Sequence, residues 1–173
     1  MKRLLILAVC LVVLSCATLA PAQDAAPAPD EKRTTTLGLY LTAEQAYFML
    51  KKDAAAVLLD VRTGPQYYYI GHPPNAYMAP LRFWTGKYDK EKNDFILARN
   101  AKFEEYVAKR WPAKDTTLLV LSRVGIVGAA AVNRLAEAGY TKAYNIVDGF
   151  EAWQKLGFPV TKKLDPDMVY TRD

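Results

Sequence analysis

The sequence has very few residues with thiol or imidazole side chains. Its 173 residues include two cysteines, Cys10 and Cys16, and one histidine, His72. Both cysteines lie in an N-terminal region that is typical of a cleaved leader, so the processed chain would keep no free thiol. This excludes a disulfide framework and any catalysis by a thiolate in the mature protein. We also predict no bound metal and no cofactor.

The sequence also lacks a long hydrophobic run. Lys2 and Arg3 precede an uncharged apolar stretch over residues 4–14, whereas a membrane-spanning helix needs about 20 apolar residues. A basic start followed by a short apolar run is typical of a secretory leader. We therefore predict a signal peptide over residues 1–22 and an exported, periplasmic protein.

Two endings of this leader remain open. Ala20 and Ala22 form an A-x-A cleavage site before Gln23. Residues 13–16, with the sequence VLSC, resemble a bacterial lipobox, in which the leader is cleaved before Cys16 and this cysteine is lipidated. Lipidated Cys16 would attach the chain to a membrane, facing the periplasm.

A strong excess of charge is absent as well. The formal net charge is +5, and removal of Lys2 and Arg3 with the leader lowers it to +3. Acidic residues interrupt the basic ones, both in GKYDKEK over residues 86–92 and around residues 109–114. These features exclude a nucleic-acid-binding protein and favour a solvated surface over a site for an anionic membrane or an acidic partner.

The remainder predicts one domain between two tails. Residues 23–34 are rich in alanine, proline and charge, which is typical of a flexible linker. We place the domain at residues 35–162 and a C-terminal tail at residues 163–173. Within the domain, Thr42 and Gln45 form a capping box, and apolar residues follow at helical spacing, so a helix is predicted over residues 41–52.

Strands and helices alternate along the domain. Apolar runs over residues 54–61, 116–122 and 143–147 predict strands, and the first, which is continuously apolar, is typical of a strand that is covered on both faces. Helices are predicted over residues 100–110, after the glycine loop up to Gly139, and over residues 150–156. Residues 71–80 predict a turn and a short edge strand, and residues 81–94 a long polar excursion. This order implies an α/β fold, a doubly wound sheet of mainly parallel strands with helices on both faces.

Two motifs give a family resemblance. LLDVRTGPQYYYIGHPPNAYMAP over residues 58–80 and DGFEAWQKLGFPV over residues 148–160 resemble the opening and closing signatures of rhodanese-like sulfurtransferase domains. The resemblance extends from about residue 39 to residue 160. It implies structural roles for the matching motif residues, which are Asp60, Arg62, Gly71, His72 and Trp153.

The loop between the two motifs departs from the family pattern. In rhodaneses this loop usually reads Cys-Arg-x-Gly-x-Arg. Arg123 and Gly125 agree with that pattern, but Ser122 replaces the sulfur-accepting cysteine and Val127 replaces the second arginine. A serine forms no stable equivalent of a persulfide, and a valine cannot clamp an anion. Backbone N–H groups at the helix start can still attract an anion, so we assign a candidate anion-binding loop to Arg123, Val124, Gly125, Ile126, Val127 and Gly128.

Three functions therefore stay open. The first is an exported rhodanese-like domain that lacks sulfurtransferase activity and binds an envelope protein or a small anion. The second is an atypical thiosulfate sulfurtransferase. The third is a hydrolase or phosphatase with Ser122 as nucleophile, which would need a nearby base. For His72, the only histidine, we expect a structural role.

A group of aromatic residues favours a partner site. Three consecutive tyrosines, Tyr67, Tyr68 and Tyr69, cannot all face the core, because successive side chains point in different directions. Phe83, Trp84 and Tyr88 follow in the polar segment. Exposed aromatic side chains are enriched at protein interfaces.

Overall fold

A parallel β-sheet lies at the centre of the protein. The computed structural model describes residues 29–171. The strands of the sheet are Tyr40–Leu41 (β1), Val57–Asp60 (β2), Tyr77–Met78 (β3), Leu118–Leu121 (β6) and Ala143–Ile146 (β7). Their order is β1-β7-β6-β2-β3, and all neighbours are parallel. The three apolar runs supply β2, β6 and β7 and residues 71–80 the edge strand β3, as predicted, whereas β1 was not predicted.

Helices cover both faces of this sheet, which confirms the predicted fold class. The helices are Ala43–Lys52 (α1), Phe103–Arg110 (α2), Ile126–Glu137 (α3) and Gly149–Lys155 (α4). One core cluster joins α1 and α4 to Leu119 and Leu121, and the other joins α2 and α3 to Leu118 and Val120. Successive residues of β6 thus pack on opposite faces, which explains why its sequence is continuously apolar.

Local signals set the start of the first helix. The N–H of Gln45 donates to Thr42 Oγ1 at 3.1 Å, and the N–H of Thr42 donates to Gln45 Oε1 at 2.9 Å. This is the predicted capping box, and it satisfies two N–H groups that the helix itself leaves unpaired.

The segment predicted as a polar excursion is a β-hairpin. Arg82–Asp89 (β4) and Asp94–Arg99 (β5) form a separate antiparallel sheet of two strands. The charged residues of the turn over residues 90–93 conceal two strand-forming segments, FWT and FILA, on either side. Asn93 has a φ of 50°, a left-handed conformation that asparagine tolerates better than most residues and that suits the tight turn.

Both tails contact the domain more closely than we predicted. Glu31–Arg33 forms a 3₁₀ turn, and Arg33 Nε donates to the carbonyl oxygen of Val124 at 2.7 Å. At the other end, the ring of Tyr170 is buried and lies 4.9 Å from the ring of Tyr106. The ordered domain therefore begins before Thr35, within the predicted linker, and includes part of the predicted tail.

The predicted leader, with Cys16 and both cleavage sites, lies outside the described residues. Within residues 29–171, no helix is both long and apolar enough to cross a membrane.

Replacement of Tyr170 by alanine tests whether the tail belongs to the fold. Tyr170→Ala removes a buried ring from the core, so we expect the free energy of unfolding to fall by about 3 kcal/mol. Leu164→Ala, in the same tail but 47% exposed, should change it by less than about 0.5 kcal/mol. Urea unfolding followed by circular dichroism measures both free energies. An equally small loss for the two variants would show that the tail contact is unimportant for stability.

Candidate functional site

The loop after β6 holds Ser122 in a closed environment. Ser122 is 1% exposed, and its Oγ accepts a hydrogen bond from the N–H of Gly125 at 3.0 Å. Gly125 is the N-cap residue of α3 and has a φ of 85°. A Cβ at this position would lie 2.2 Å from the carbonyl oxygen of Val147, so the loop requires glycine both for its conformation and for space.

Backbone hydrogen bonds join this loop to the start of α4. The N–H groups of Phe150 and Glu151 donate to the carbonyl oxygens of Ser122 and Arg123, at 2.8 and 3.1 Å. At Gly149, a Cβ would lie 2.5 Å from the carbonyl oxygens of Ser122 and Arg123. The Asp-Gly of the closing motif therefore allows the two segments to approach each other.

The two arginines at the loop are both paired with carboxylates. Arg123 is exposed, and its Nη1 lies 2.9 Å from Glu151 Oε1. Arg33, from the N-terminal segment, forms an ion pair with Asp30 and donates to the loop carbonyl of Val124. Their charges are therefore already partly neutralised, which weakens the candidate anion site. Val127, where the family has its second arginine, packs against the core.

Asn145 is a buried polar neighbour of the loop that the sequence analysis missed. It lies in β7 and is fully buried, its Nδ2 donates to the carbonyl oxygen of Arg33, and its Oδ1 has no hydrogen-bond partner among residues 29–171. A Cβ at Gly128 would lie 2.4 Å from this Oδ1 and 3.2 Å from Ser122 Oγ. The first turn of α3 therefore leaves no room for a side chain at residue 128. In the sequence, this polar site could have been found from the single asparagine within the otherwise apolar segment AYNIV.

His72 makes contacts of a structural kind. Its ring is buried, stacks on the ring of Tyr67 at 3.6 Å and has Nδ1 3.2 Å from the Tyr67 carbonyl oxygen. Its backbone N–H and carbonyl group bond to Thr161. The preceding Gly71 has a φ of 105°, and a Cβ there would lie 2.7 Å from Val160. The hydrogen-bond partner of Ser122 Oγ is a backbone amide, so the structure brings no imidazole to this serine.

Asp60 and Arg62 form a buried ion pair at the end of β2. Arg62 Nη2 lies 2.6 Å from Asp60 Oδ2, and both side chains are almost fully buried. The same Nη2 donates to the carbonyl oxygen of Gly71 at 2.8 Å, and the guanidinium stacks 3.7 Å from the centre of the Phe150 ring. The pair therefore connects β2 to the Gly-His turn and to α4.

Trp153 anchors the closing motif. It is buried among α1 and α4, and its Nε1 donates to the carbonyl oxygen of Pro159 at 3.0 Å. The motif residues away from the loop thus connect segments of the fold.

The aromatic group divides between core and surface. Tyr67 is buried and donates to the carbonyl oxygen of Ala76 at 2.7 Å, and burial raises the pKa of its hydroxyl. Tyr68 is half-buried, whereas Tyr69 is 76% exposed, as expected for three consecutive rings. Tyr68 and Trp84 line a cleft of about 610 Å³ between the hairpin and the domain, together with Phe83, Phe95 and Tyr170.

Replacement of the arginine by methionine should have very different effects on stability in the two ion pairs. Arg62→Met leaves the Asp60 carboxylate buried without its partner and should lower the free energy of unfolding by about 3–5 kcal/mol. Arg123→Met breaks an exposed pair, which contributes about 0–1 kcal/mol. Chemical denaturation of the two variants at one pH and salt concentration measures the difference. Equal losses would contradict a structural role of the buried pair.

Comparisons with known proteins agree with the motifs. Residues 42–156, about two thirds of the chain, match the family described as Rhodanese-like domain. Rv0390 from M. tuberculosis has a similar fold at 24% identity, with a TM-score of 0.56 over 71% of this chain and 96% of that chain.

Two named sulfurtransferases have similar structures. The polysulfide-sulfur transferase homodimer from Wolinella succinogenes is 22% identical, with a TM-score of 0.53 over 71% of this chain and 77% of that chain. Thiosulfate sulfurtransferase from Pseudomonas aeruginosa is 20% identical, with a TM-score of 0.54 over 71% of this chain and 20% of that chain. These similarities concern the fold, and the match over residues 42–156 identifies its type: the chain belongs to the rhodanese-like domain family.

Proposed function

We propose that this protein is an exported rhodanese-like domain that transfers no sulfur and acts by binding a partner protein. The observation that carries the proposal is Ser122 at the end of β6, with its hydroxyl buried and engaged by the Gly125 N–H. The domain would lie in the periplasm, either free or attached to the membrane through lipidated Cys16.

The chemistry of sulfur transfer explains why this serine matters. A rhodanese cysteine attacks the outer sulfur of a donor such as thiosulfate as a thiolate, forms an S–S bond and releases sulfite. The hydroxyl of Ser122 has a far higher pKa than a thiol and forms no persulfide. Val127 adds no cation at the loop, and Arg123 and Arg33 have carboxylate partners. The loop therefore lacks both the nucleophile and a free cation for the donor.

The geometry gives the hydrolase hypothesis little support. A serine nucleophile needs a base within hydrogen-bond distance and an oriented, accessible oxygen. Ser122 Oγ accepts from a backbone amide, and the imidazole of His72 is occupied by Tyr67. An atypical sulfurtransferase would need a sulfur carrier other than a thiol in the processed chain.

The exposed aromatic side chains favour a protein partner over a small anion. The cleft between the hairpin and the domain is lined by the rings of Tyr68, Trp84 and Phe95, and such rings contribute strongly to protein interfaces. The candidate anion site has two partly neutralised arginines. A protein with apolar side chains that fill this cleft is therefore the better candidate.

Sulfur transfer from thiosulfate to cyanide tests the loss of activity. The full chain with Cys10→Ser and Cys16→Ser, which removes background thiols, should show no turnover above the uncatalysed rate. Adding Ser122→Cys and Val127→Arg should give measurable turnover, because Arg123, Gly125 and the start of α3 keep the geometry of the family loop. Thiocyanate formation measures both rates.

The control is Ser122→Ala in the same background. If the chain that retains Ser122 turned over and Ser122→Ala did not, the proposal would be wrong and Ser122 would be a nucleophile. Turnover by both would require a sulfur carrier elsewhere in the chain and would also contradict the proposal.

Capture of an envelope protein tests the binding surface. Tyr68→Ala or Trp84→Ala should reduce capture by the immobilised chain at least about tenfold, because each removes a ring from the cleft. Phe48→Ala removes an exposed ring on α1 that does not line the cleft, and should leave capture unchanged. Arg123→Ala distinguishes binding at the cleft from binding at the candidate anion-binding loop. A strong loss of capture with this variant alone would favour the loop. Unchanged thermal unfolding is required of each variant.

A further inference from the structure

The hairpin has an open edge at β5, whereas Phe83 of β4 packs against the core. Every residue of β5 is exposed, and within residues 29–171 the outer edge of each strand of this two-stranded sheet has no partner strand. An isolated two-stranded sheet is at most marginally stable in water. Pairing with further strands would stabilise this two-stranded sheet.

The outer edge of β5 can be assigned from its hydrogen bonds. The carbonyl oxygen of Ile96 accepts from Thr85 Oγ1 of β4, so the backbone of Ile96 faces inward. The N–H of Asn100 donates to the carbonyl oxygen of Leu81, so the backbone of Asn100 also faces inward. The N–H of Phe95 donates to the side chain of Asp94. Because inward and outward residues alternate in an antiparallel sheet, the backbone groups of Phe95, Leu97 and Arg99 point toward the open edge.

The middle of this edge carries little of the usual protection against pairing. Natural edge strands are interrupted by charged residues, proline or bulges. Residues 95–98 of β5 are Phe, Ile, Leu and Ala, without any charge or proline. The bulge of the hairpin lies in β4, between Trp84 and Tyr88. The β5 edge is therefore competent to accept another strand.

The charges of the hairpin indicate which strand fits. Asp89 lies opposite Asp94 near the tip, and Arg82 lies opposite Arg99 at the base. Like charges opposite each other destabilise a sheet. A second copy of this hairpin in antiparallel orientation would set each acidic pair near the basic pair of its partner, which relieves both repulsions.

We propose that the protein forms a homodimer in which β5 pairs antiparallel with β5 of a second copy, about a two-fold axis at Leu97. The two hairpins then form one sheet of four strands. This proposal does not depend on the loss of sulfur transfer, since the hairpin lies outside the candidate loop. It identifies the β5 edge as a surface for self-association and leaves the two faces of the sheet for other partners.

The register follows from the two-fold symmetry. The two-fold axis must pass beside a residue whose backbone faces the open edge. The residue at the axis can therefore be Phe95, Leu97 or Arg99. An axis at Arg99 would place two guanidinium groups opposite each other, and an axis at Phe95 would pair strand residues with the turn over residues 90–93. An axis at Leu97 places Leu97 opposite the partner's Leu97 and Phe95 opposite the partner's Arg99. It pairs strand with strand through about six backbone hydrogen bonds, two of which require the N–H of Phe95 to leave the Asp94 carboxylate.

Sedimentation velocity tests the dimer. We expect the sedimentation coefficient of the full chain with Cys10→Ser and Cys16→Ser to rise with concentration between about 1 µM and 1 mM, because an edge interface of this size is weak. Leu97→Lys puts two ammonium groups opposite each other and should raise the dimer dissociation constant at least about tenfold. Leu156→Lys, on a leucine of similar exposure beyond α4, is the matched control.

A monomer at all concentrations would overturn the proposal. So would a dimer that Leu97→Lys leaves intact, since it would use another surface. A dimer weakened equally by Leu97→Lys and Leu156→Lys would mean a general effect of charge and would also overturn it.

Oxidative cross-linking tests the register. In the same background, Leu97→Cys places two thiols opposite each other across the axis, with Cα atoms about 5.5 Å apart, which suits a disulfide. Phe95→Cys places them about 13 Å apart. We expect a cross-linked dimer from the first variant and none from the second. The reverse result would move the axis to Phe95 and overturn the proposed register.

Discussion

The buried ion pair of Asp60 and Arg62 holds the carboxyl edge of the sheet together. Two charges without contact with water are tolerated only when they satisfy each other, and here Arg62 also bonds to the carbonyl oxygen of Gly71 and stacks on Phe150. The strand, the Gly-His turn and α4 are thereby fixed relative to one another. Because α4 begins at the amides that bind the Ser122 loop, the position of this loop depends on the same pair.

The loop itself is retained as a backbone structure. Gly125, Gly128 and Gly149 each lie where a Cβ would meet a neighbouring oxygen at 2.2 to 2.5 Å, so the path of the chain is constrained independently of the nucleophile. Ser122 fits this path, and its hydroxyl oxygen accepts a hydrogen bond from the Gly125 N–H. The position of the loop therefore rests on glycines and backbone hydrogen bonds.

Most of the fold could be predicted from the sequence. The capping box located the start of α1, and the continuous apolar runs located three strands of the parallel sheet, because both are signals of short range. The hairpin was missed because charged residues in and near its turn dominate the composition of the segment between the apolar ends of β4 and β5. The ordered parts of the two tails were missed as well, since a composition rich in proline and charge does not reveal contacts such as those of Arg33 and Tyr170.

The amino-acid sequence by itself determined the family and placed Ser122 between the two family motifs, because motifs are matters of residue order. Only the tertiary structure decided what surrounds that residue. The hydrogen bond from Arg33 to Val124, the ion pair of Arg123 with Glu151 and the hydrogen bond from Asn145 to Arg33 all join segments that are distant in the chain. The physical reason is that hydrogen bonds and ion pairs act over a few ångströms in space, whereas local sequence patterns describe only neighbours along the chain.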